Sequence, residues 1–260
     1  MIDRRPPFLR GRRPRVIAHR GFGPDRIGNT LGAFQRALEA GADLLETDVR
    51  ASLDAVAVLV HDEVVLDAAG RSHRIEAERW EDLARLVLPG GESLLRLEDA
   101  LRLLPDALLN IDVKARAAVH PTALAVDRQD ARDRVLITSL SESRRASTVR
   151  LLPGVATSAS AQRFLTALIG AHLRLPALVR LALNGMDALQ VPESALGLPV
   201  ATPPILARLR VTGAEIHLWT VNDAQRMTEL LALGVDGLVT DRTDLARRAV
   251  DDAAPKPPLT

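Results

Sequence analysis

Two histidines, two cations and three carboxylates define the chemistry this chain can perform. His19-Arg20-Gly21, Glu46-Thr47-Asp48 and His61-Asp62 each lie on or just after a short apolar run that reads as a β-strand, and Asp112 and Lys114 lie on a later one. Imidazole exchanges a proton near neutral pH more readily than any other side chain, so His19 and His61 are candidates for an acid–base pair. Arg20 offers a planar fork to phosphate oxygens, and Lys114 a compact charge for the same group. Lys114 stands out because lysine occurs at only one other position, Lys256 in the tail. In a strand, residues two apart face the same side, so Glu46 and Asp48 point together, as do Asp112 and Lys114. Convergence of Glu46, Asp48 and Asp112 would supply hard oxygen ligands suited to Mg²⁺ or Ca²⁺, with Mn²⁺ also compatible. His73, His120, His172 and His217 lack such neighbours and are assigned to surface or structure. Trp219 is either a core side chain or a wall of the site.

Strand patterns at 16–19, 44–49, 108–112, 135–139, 155–158, 188–191, 216–220 and 237–240 alternate with helical ones. That alternation is the mark of a parallel sheet with crossover helices, and eight strands close a (β/α)₈ TIM barrel. Charged residues at the C-terminal ends of such strands stand where these barrels place active sites. Asn29 or Thr30 caps a helix carrying Leu31, Phe34 and Leu38 on one face and stopped by Gly41. Asp223 opens another with Met227, Leu230 and Leu231 inward, and Ser141 a third that ends at Pro153. Weaker helical patterns cover 80–88, 97–104 and 205–212.

A ninth apolar run, 56–60, follows 44–49 too closely for a crossover helix, so it is expected to return antiparallel as a hairpin excursion after strand 2. A turn centred between Asp54 and Ala55 pairs Asp48 with His61 and brings that histidine back beside the carboxylates.

The chain has 260 residues and 47% hydrophobic content, enough for one barrel domain, expected over 15–250. A basic arm (1–14) precedes it, and a Pro- and Ala-rich flexible tail (251–260) follows. The arm has no apolar h-region, so it does not read as a signal peptide. A net charge of +1 gives no reason to expect a nucleic-acid partner. With no cysteine there are no disulfides or thiolate metal sites; a reducing compartment is allowed, and a cytoplasmic location is expected. The apolar stretch 163–183 carries His172, Arg174, Pro176 and Arg180. It is too short and impure to span a membrane. It reads either as a helix pair packed on the barrel or as an amphipathic patch able to make peripheral membrane contact.

The stretches IAHRGF, NTLGAFQRALEAGAD, LLETDV, VLVHD, LLNIDVK, LWTVND and LGVDGLVTD together resemble the glycerophosphodiester phosphodiesterase family, whose fold is a phosphatidylinositol-phospholipase-C-like TIM barrel. The resemblance runs from about Val16 to Ala246. It implies His19 and His61 as general acid and base, and Glu46, Asp48 and Asp112 as ligands of a divalent cation. It further implies Arg20 and Lys114 as phosphate-binding groups and Trp219 as lining the substrate side. The expected reaction is hydrolysis of a small-molecule glycerophosphodiester to glycerol 3-phosphate and an alcohol. The alternatives are a lysophospholipase D working at a membrane surface and a barrel that binds glycerophosphodiesters without turnover. The chain departs from the family pattern at Gly28, where Ile27-Gly28-Asn29-Thr30 replaces Pro-Glu-Asn-Thr, and at Asp112, where Glu is usual. It also departs at Asp54-Ala55 in place of Asp-Gly, and at Thr243 in place of Pro. The segment between His61 and Trp80 is short, leaving little room for a large inserted cap.

Overall fold

The computed structural model describes residues 6–23 and 27–253; the start of the basic arm and most of the tail, Lys256 included, lie outside the described residues. Eight parallel strands form the barrel: β1 (Arg15–His19), β2 (Leu44–Ala51), β3 (Leu109–Val113), β4 (Val135–Thr138), β5 (Ala156–Thr157), β6 (Ala188–Val191), β7 (Glu215–Leu218) and β8 (Gly237–Thr240). Hydrogen bonding runs β6-β7-β8-β1-β2-β3-β4-β5, and a parallel bridge between Ser158 and Ala188 brings β5 back to β6. Helices lie between successive strands, as the alternation of patterns requires.

Alternate residues of each strand divide between two environments. Leu45, Val49, Leu109, Ile111 and Val113 pack outward against the helices, while Ile17, Leu44, Leu136, Ala156, Ala188 and Val239 fill the barrel interior. Phe8 and Leu9, placed in the arm by sequence, join that interior cluster through the Pro7–Leu9 turn and stopper the barrel floor. Arg15 fixes this turn: it donates to the Leu9 carbonyl at 2.6 Å and to both carboxylate oxygens of Glu215 at 2.7 and 3.0 Å. Glu215 also accepts from His217 Nε2 at 3.1 Å, and His217 Nδ1 faces the Gln190 amide at 3.4 Å. Gln190 in turn accepts from Asn110 at 3.2 Å, so a polar ladder links the floor to the level of the active-site strand ends. His217 is thus structural, as expected.

The predicted caps at Thr30, Ser141 and Asp223 are present, each side-chain oxygen accepting from the backbone three residues on. Asn29 is not the cap and has another role in the site. Of the weaker helices, Leu97–Leu103 holds, 80–88 shrinks to Trp80–Leu83, and 205–212 becomes Pro203–Leu209 followed by a 3₁₀ turn. The last helix, Thr243–Ala253, continues into the first residues of the predicted tail.

The hairpin after β2 exists, but its register differs by one from the expected one. Ala57–Leu59 pairs antiparallel with β2 as Val49 with Leu59 and Ala51 with Ala57. The turn has three residues between Ser52 and Val56, with Ala55 in the left-handed region at φ 59°, so the pairing axis passes through Asp54 instead of between 54 and 55. Asp48 therefore meets Val60, whose N–H donates to the Asp48 carbonyl at 2.9 Å, and His61 lies one residue beyond. The strand continues the sheet to Leu95–Arg96, and the intervening 60–94 folds over its own small core of Val58, Val60, Ile75, Leu83, Leu88 and Leu94.

Candidate active site

Parallel register assembles the charged cluster. His19 is aligned with Glu46 across β1 and β2, and Asp48 with Asp112 across β2 and β3. A cavity of about 480 Å³ above these strand ends is lined by His19, Arg20, Glu46, Asp48, His61, Asp112, Lys114 and Trp219 among others, so all eight residues selected from sequence face one space. Trp219 lies just past β7, is 40% exposed and forms part of the wall, not the core.

Each histidine is held by its Nδ1 nitrogen. His19 Nδ1 is 2.7 Å from Asp241 Oδ1, and His61 Nδ1 is 2.8 Å from Asp62 Oδ1. An ionised carboxylate can only accept, so Nδ1 carries the proton in both and Nε2 is the nitrogen left for proton transfer. Asp241 is itself oriented: Asn222 Nδ2 donates to its Oδ2 at 2.7 Å, and Asn222 Oδ1 accepts from the Asp241 backbone N–H at 2.8 Å and from Thr240 Oγ1 at 3.0 Å. The hydrogen bond from His19 holds the Asp241 carboxyl below the usual range.

The two cations are tied to the carboxylates. Lys114 Nζ lies 2.8 Å from Asp48 Oδ1 and 2.6 Å from Asp112 Oδ2. Arg20, at φ 58°, has its Nε 3.0 Å from Asp48 Oδ2, and its backbone N–H donates to Glu46 Oε2 at 3.1 Å. Burial pushes Glu46 well above the usual carboxylate range, reinforced by the like charges of Asp48 and Asp112. Burial acts the same way on Asp48, but Lys114 and Arg20 outweigh it and hold that carboxyl low. At Asp112 burial prevails over Lys114 and the shift is upward. Burial disfavours the Lys114 ammonium, yet Asp112 and Asp48 together raise it.

Three carboxylates face two cations here, and buried Asp112 Oδ1 has no hydrogen-bond partner. An all-oxygen donor set with an unused oxygen fits a hard divalent cation. The donors are not gathered as a finished cage, however: among the described residues no three His, Asp, Glu or Cys side chains stand in metal-holding geometry, and Lys114 bridges Asp48 and Asp112 instead.

Several contributors escaped the sequence reading. Asn29, at φ 61°, donates from Nδ2 to Asp48 Oδ2 at 3.1 Å and accepts at Oδ1 from Thr47 Oγ1 at 2.7 Å, clamping the central carboxylate. Its place in the Asn-Thr pair was the available signal, absorbed by the capping role that Thr30 fills. Asp241 and Asn222 lay within the quoted C-terminal stretches but had no visible partner until the barrel closed β8 onto β1. Arg144, whose Nε donates to Ser139 Oγ at 3.0 Å, adds a third positive charge felt by Asp112. Gly28 is explained by contact: a Cβ there would lie 2.6 Å from Arg20 Cβ and 2.9 Å from the Arg20 carbonyl oxygen.

Residues 19–245 match the glycerophosphoryl diester phosphodiesterase family. The chain belongs to that family. Over 242 residues it is 40% identical to the probable glycerophosphodiester phosphodiesterase 2 of Mycobacterium tuberculosis, covering 92% of both chains. Its fold superposes on the glycerophosphodiester phosphodiesterase of Agrobacterium tumefaciens with a TM-score of 0.76 at 24% identity, covering 91% of this chain and 99% of the other. It also resembles an Oleispira antarctica phosphodiesterase solved with the product sn-glycerol-3-phosphate, with a TM-score of 0.74 at 20% identity over 92% and 97% of the two chains. As a glycerophosphoryl diester phosphodiesterase family member, the protein is a phosphoric diester hydrolase built on a TIM barrel.

Proposed function

We propose that the protein hydrolyses small glycerophosphodiesters to glycerol 3-phosphate and an alcohol, with His19 and His61 exchanging the protons. The observation that carries this reading is the single cavity onto which both histidines, Arg20, Lys114 and the three carboxylates open. Arg20 and Lys114 would receive the non-bridging phosphate oxygens and draw off charge as the phosphorus becomes five-coordinate. Asp241 keeps the Nδ1 proton of His19 in place, so Nε2 can take a proton from the attacking hydroxyl, or return one to the leaving alkoxide. Asp62 does the same for His61 from a more exposed position. The nucleophile is water, or the glycerol 2-hydroxyl through a cyclic phosphate.

Glu46, Asp48 and Asp112 would hold Mg²⁺ or Ca²⁺, supported by their oxygen donors and the unpartnered Asp112 Oδ1. When bound, the cation supplies Lewis-acid polarisation of the phosphate. The absence of cysteine suits a reducing cytoplasm, the compartment we propose.

The test measures glycerol 3-phosphate release from glycerophosphocholine in wild type, His19→Asn and His61→Asn, with and without chelator. Loss of turnover in both variants and in chelator is expected. Full activity of either variant overturns the acid–base assignment, and indifference to chelator overturns the metal. Tight binding without hydrolysis by the wild type would identify a binding-only barrel.

A lysophospholipase D activity is a second reading, favoured by the apolar side of the cavity, where Leu140, Phe164, Leu165, Pro192 and Trp219 could accept an acyl chain. A kcat/KM for lysophosphatidylcholine above that for glycerophosphocholine would support it; the reverse would set it aside.

A further inference from the structure

The stretch 163–183 forms a helical hairpin, Ala161–His172 and Pro176–Ala182, that starts in the active site and ends on the surface. Phe164 and Leu165 line the catalytic cavity. Leu165, Ile169 and Leu173 recur every four residues and so fall along one helix face. Ile169 is 46% and Leu173 63% exposed, and Leu181 on the second helix is 71% exposed. Single exposed leucines are ordinary, but a stripe continuous with an active site is not. Charge sets this region apart as well. The chain carries 33 Asp and Glu, yet none occurs between Glu142 and Asp187. Arg174 and Arg180 are exposed in that interval, and among the described residues neither forms an ion pair.

We propose that this hairpin docks the barrel on an anionic phospholipid surface, with leucines entering the headgroup layer and Arg174 and Arg180 facing lipid phosphates. An apolar face flanked by arginines, on a hairpin that carries no acid of its own, is complementary to such a surface, and two signals together are what stable peripheral binding needs. The Leu165–Ile169–Leu173 stripe then leads from the lipid into the cavity, giving lipid-borne phosphodiesters a path to His19 and His61. Docking stands on its own; only the delivery of lipid substrates rests on the hydrolytic reading above.

The experiment is co-sedimentation of the full chain with vesicles of phosphatidylcholine alone or mixed equally with phosphatidylglycerol. Wild type is expected to pellet with the mixed vesicles only, and less at high salt. Leu173→Ser with Leu181→Ser should weaken binding roughly tenfold or more. Arg174→Gln with Arg180→Gln should weaken it roughly fivefold per arginine. Hydrolysis of soluble glycerophosphocholine should be unchanged in both, which also verifies that they fold. Failure of wild type to pellet, equal binding to neutral vesicles, or undiminished binding by both double variants overturns the proposal. So does a dimer, seen by light scattering, that Leu173→Ser with Leu181→Ser dissolves, since a second copy would then cover the face. Vesicle binding by a protein that turns over no glycerophosphodiester would retain docking and remove the hydrolytic reading.

Discussion

Asp241→Asn should disable His19 while leaving the fold intact. In the wild type, Asn222 has no freedom to turn: its Oδ1 accepts from Thr240 Oγ1 and the Asp241 N–H, so its Nδ2 must donate to Asp241 Oδ2. The amide introduced at 241 must accordingly turn its oxygen to Asn222 and its NH₂ to His19 Nδ1. A donor facing Nδ1 moves the imidazole proton to Nε2, and Nε2 can then no longer accept one. Restoring the working tautomer sacrifices a hydrogen bond in a partly buried site, about 1–2 kcal/mol. Loss of the carboxylate beside the imidazolium that forms during turnover adds about 2–3 kcal/mol. Together these amount to roughly a thousandfold in kcat at about 1.4 kcal/mol per decade. KM should change by less than about threefold because no phosphate-binding group is touched. The assay is steady-state release of glycerol 3-phosphate, with ¹⁵N NMR of the imidazole to read the tautomer and a thermal melt to verify folding. A variant within about threefold of wild-type kcat, or an unchanged His19 tautomer, would refute the reasoning.

Other residues give sharper or opposite signs. Lys114→Met leaves Asp48 and Asp112 side by side without their shared cation, so unfolding free energy should fall by about 3 kcal/mol in denaturant titrations; a loss below about 1 kcal/mol would contradict the pairing. Gly28→Glu, though it restores the commoner residue, should lower kcat/KM, because any side chain there must push Arg20 aside at about 1–3 kcal/mol; higher activity would show the contact to be unimportant. Glu215 is pushed up by burial, but hydrogen bonds from His217 and Arg15 outweigh this and hold it at about 2. A depressed carboxyl stabilises the fold above its unfolded value, and that stability drains away as pH falls toward about 2. About 3 kcal/mol should be lost over this window in wild type and not in Glu215→Gln, as read by unfolding free energy against pH; parallel curves would dismiss the linkage. Chelation should abolish turnover, and Mg²⁺ or Ca²⁺ should restore it; calorimetry on Glu46→Gln should show weaker cation binding than wild type, and equal binding would remove Glu46 from the ligand set.

The barrel was legible because its period-2 and helical patterns are local, and the eight strand positions followed from them with end errors of one or two residues. Two strands shifted with consequence: β7 ends at Leu218, freeing Trp219 to wall the cavity, and the three-residue turn at Leu53-Asp54-Ala55 moved the hairpin by one. Nothing in composition distinguishes a two- from a three-residue turn when the left-handed position is Ala instead of Gly, so the register was beyond pattern reading. The charged residues were legible because Glu-x-Asp and Asp-x-Lys put both members of each pair on one strand face. Asp241 and Asn222 were not: their roles depend on β8 lying beside β1, a contact between chain positions 222 residues apart.

Gly28 shows how the two kinds of information divide. From sequence it is a subtraction, a carboxylate missing from a motif. The geometry makes it an accommodation, since the 27–30 loop approaches Arg20 so closely that the Asn29 N–H donates to the Arg20 carbonyl at 2.8 Å. That same bond sets Asn29 at φ 61° and aims its amide at Asp48. Arg20, Gly28, Asn29 and Asp48 therefore form one unit in which the small residue permits the contact, the contact directs the amide, and the amide fixes the central carboxylate. A side chain at 28 would be introduced at the expense of both Arg20 and the Asn29 clamp. The departure at position 28 thus lies in how the site is packed: Gly28 lets the loop close on Arg20, while His19, Glu46, Asp48 and Asp112 stay in register across β1, β2 and β3.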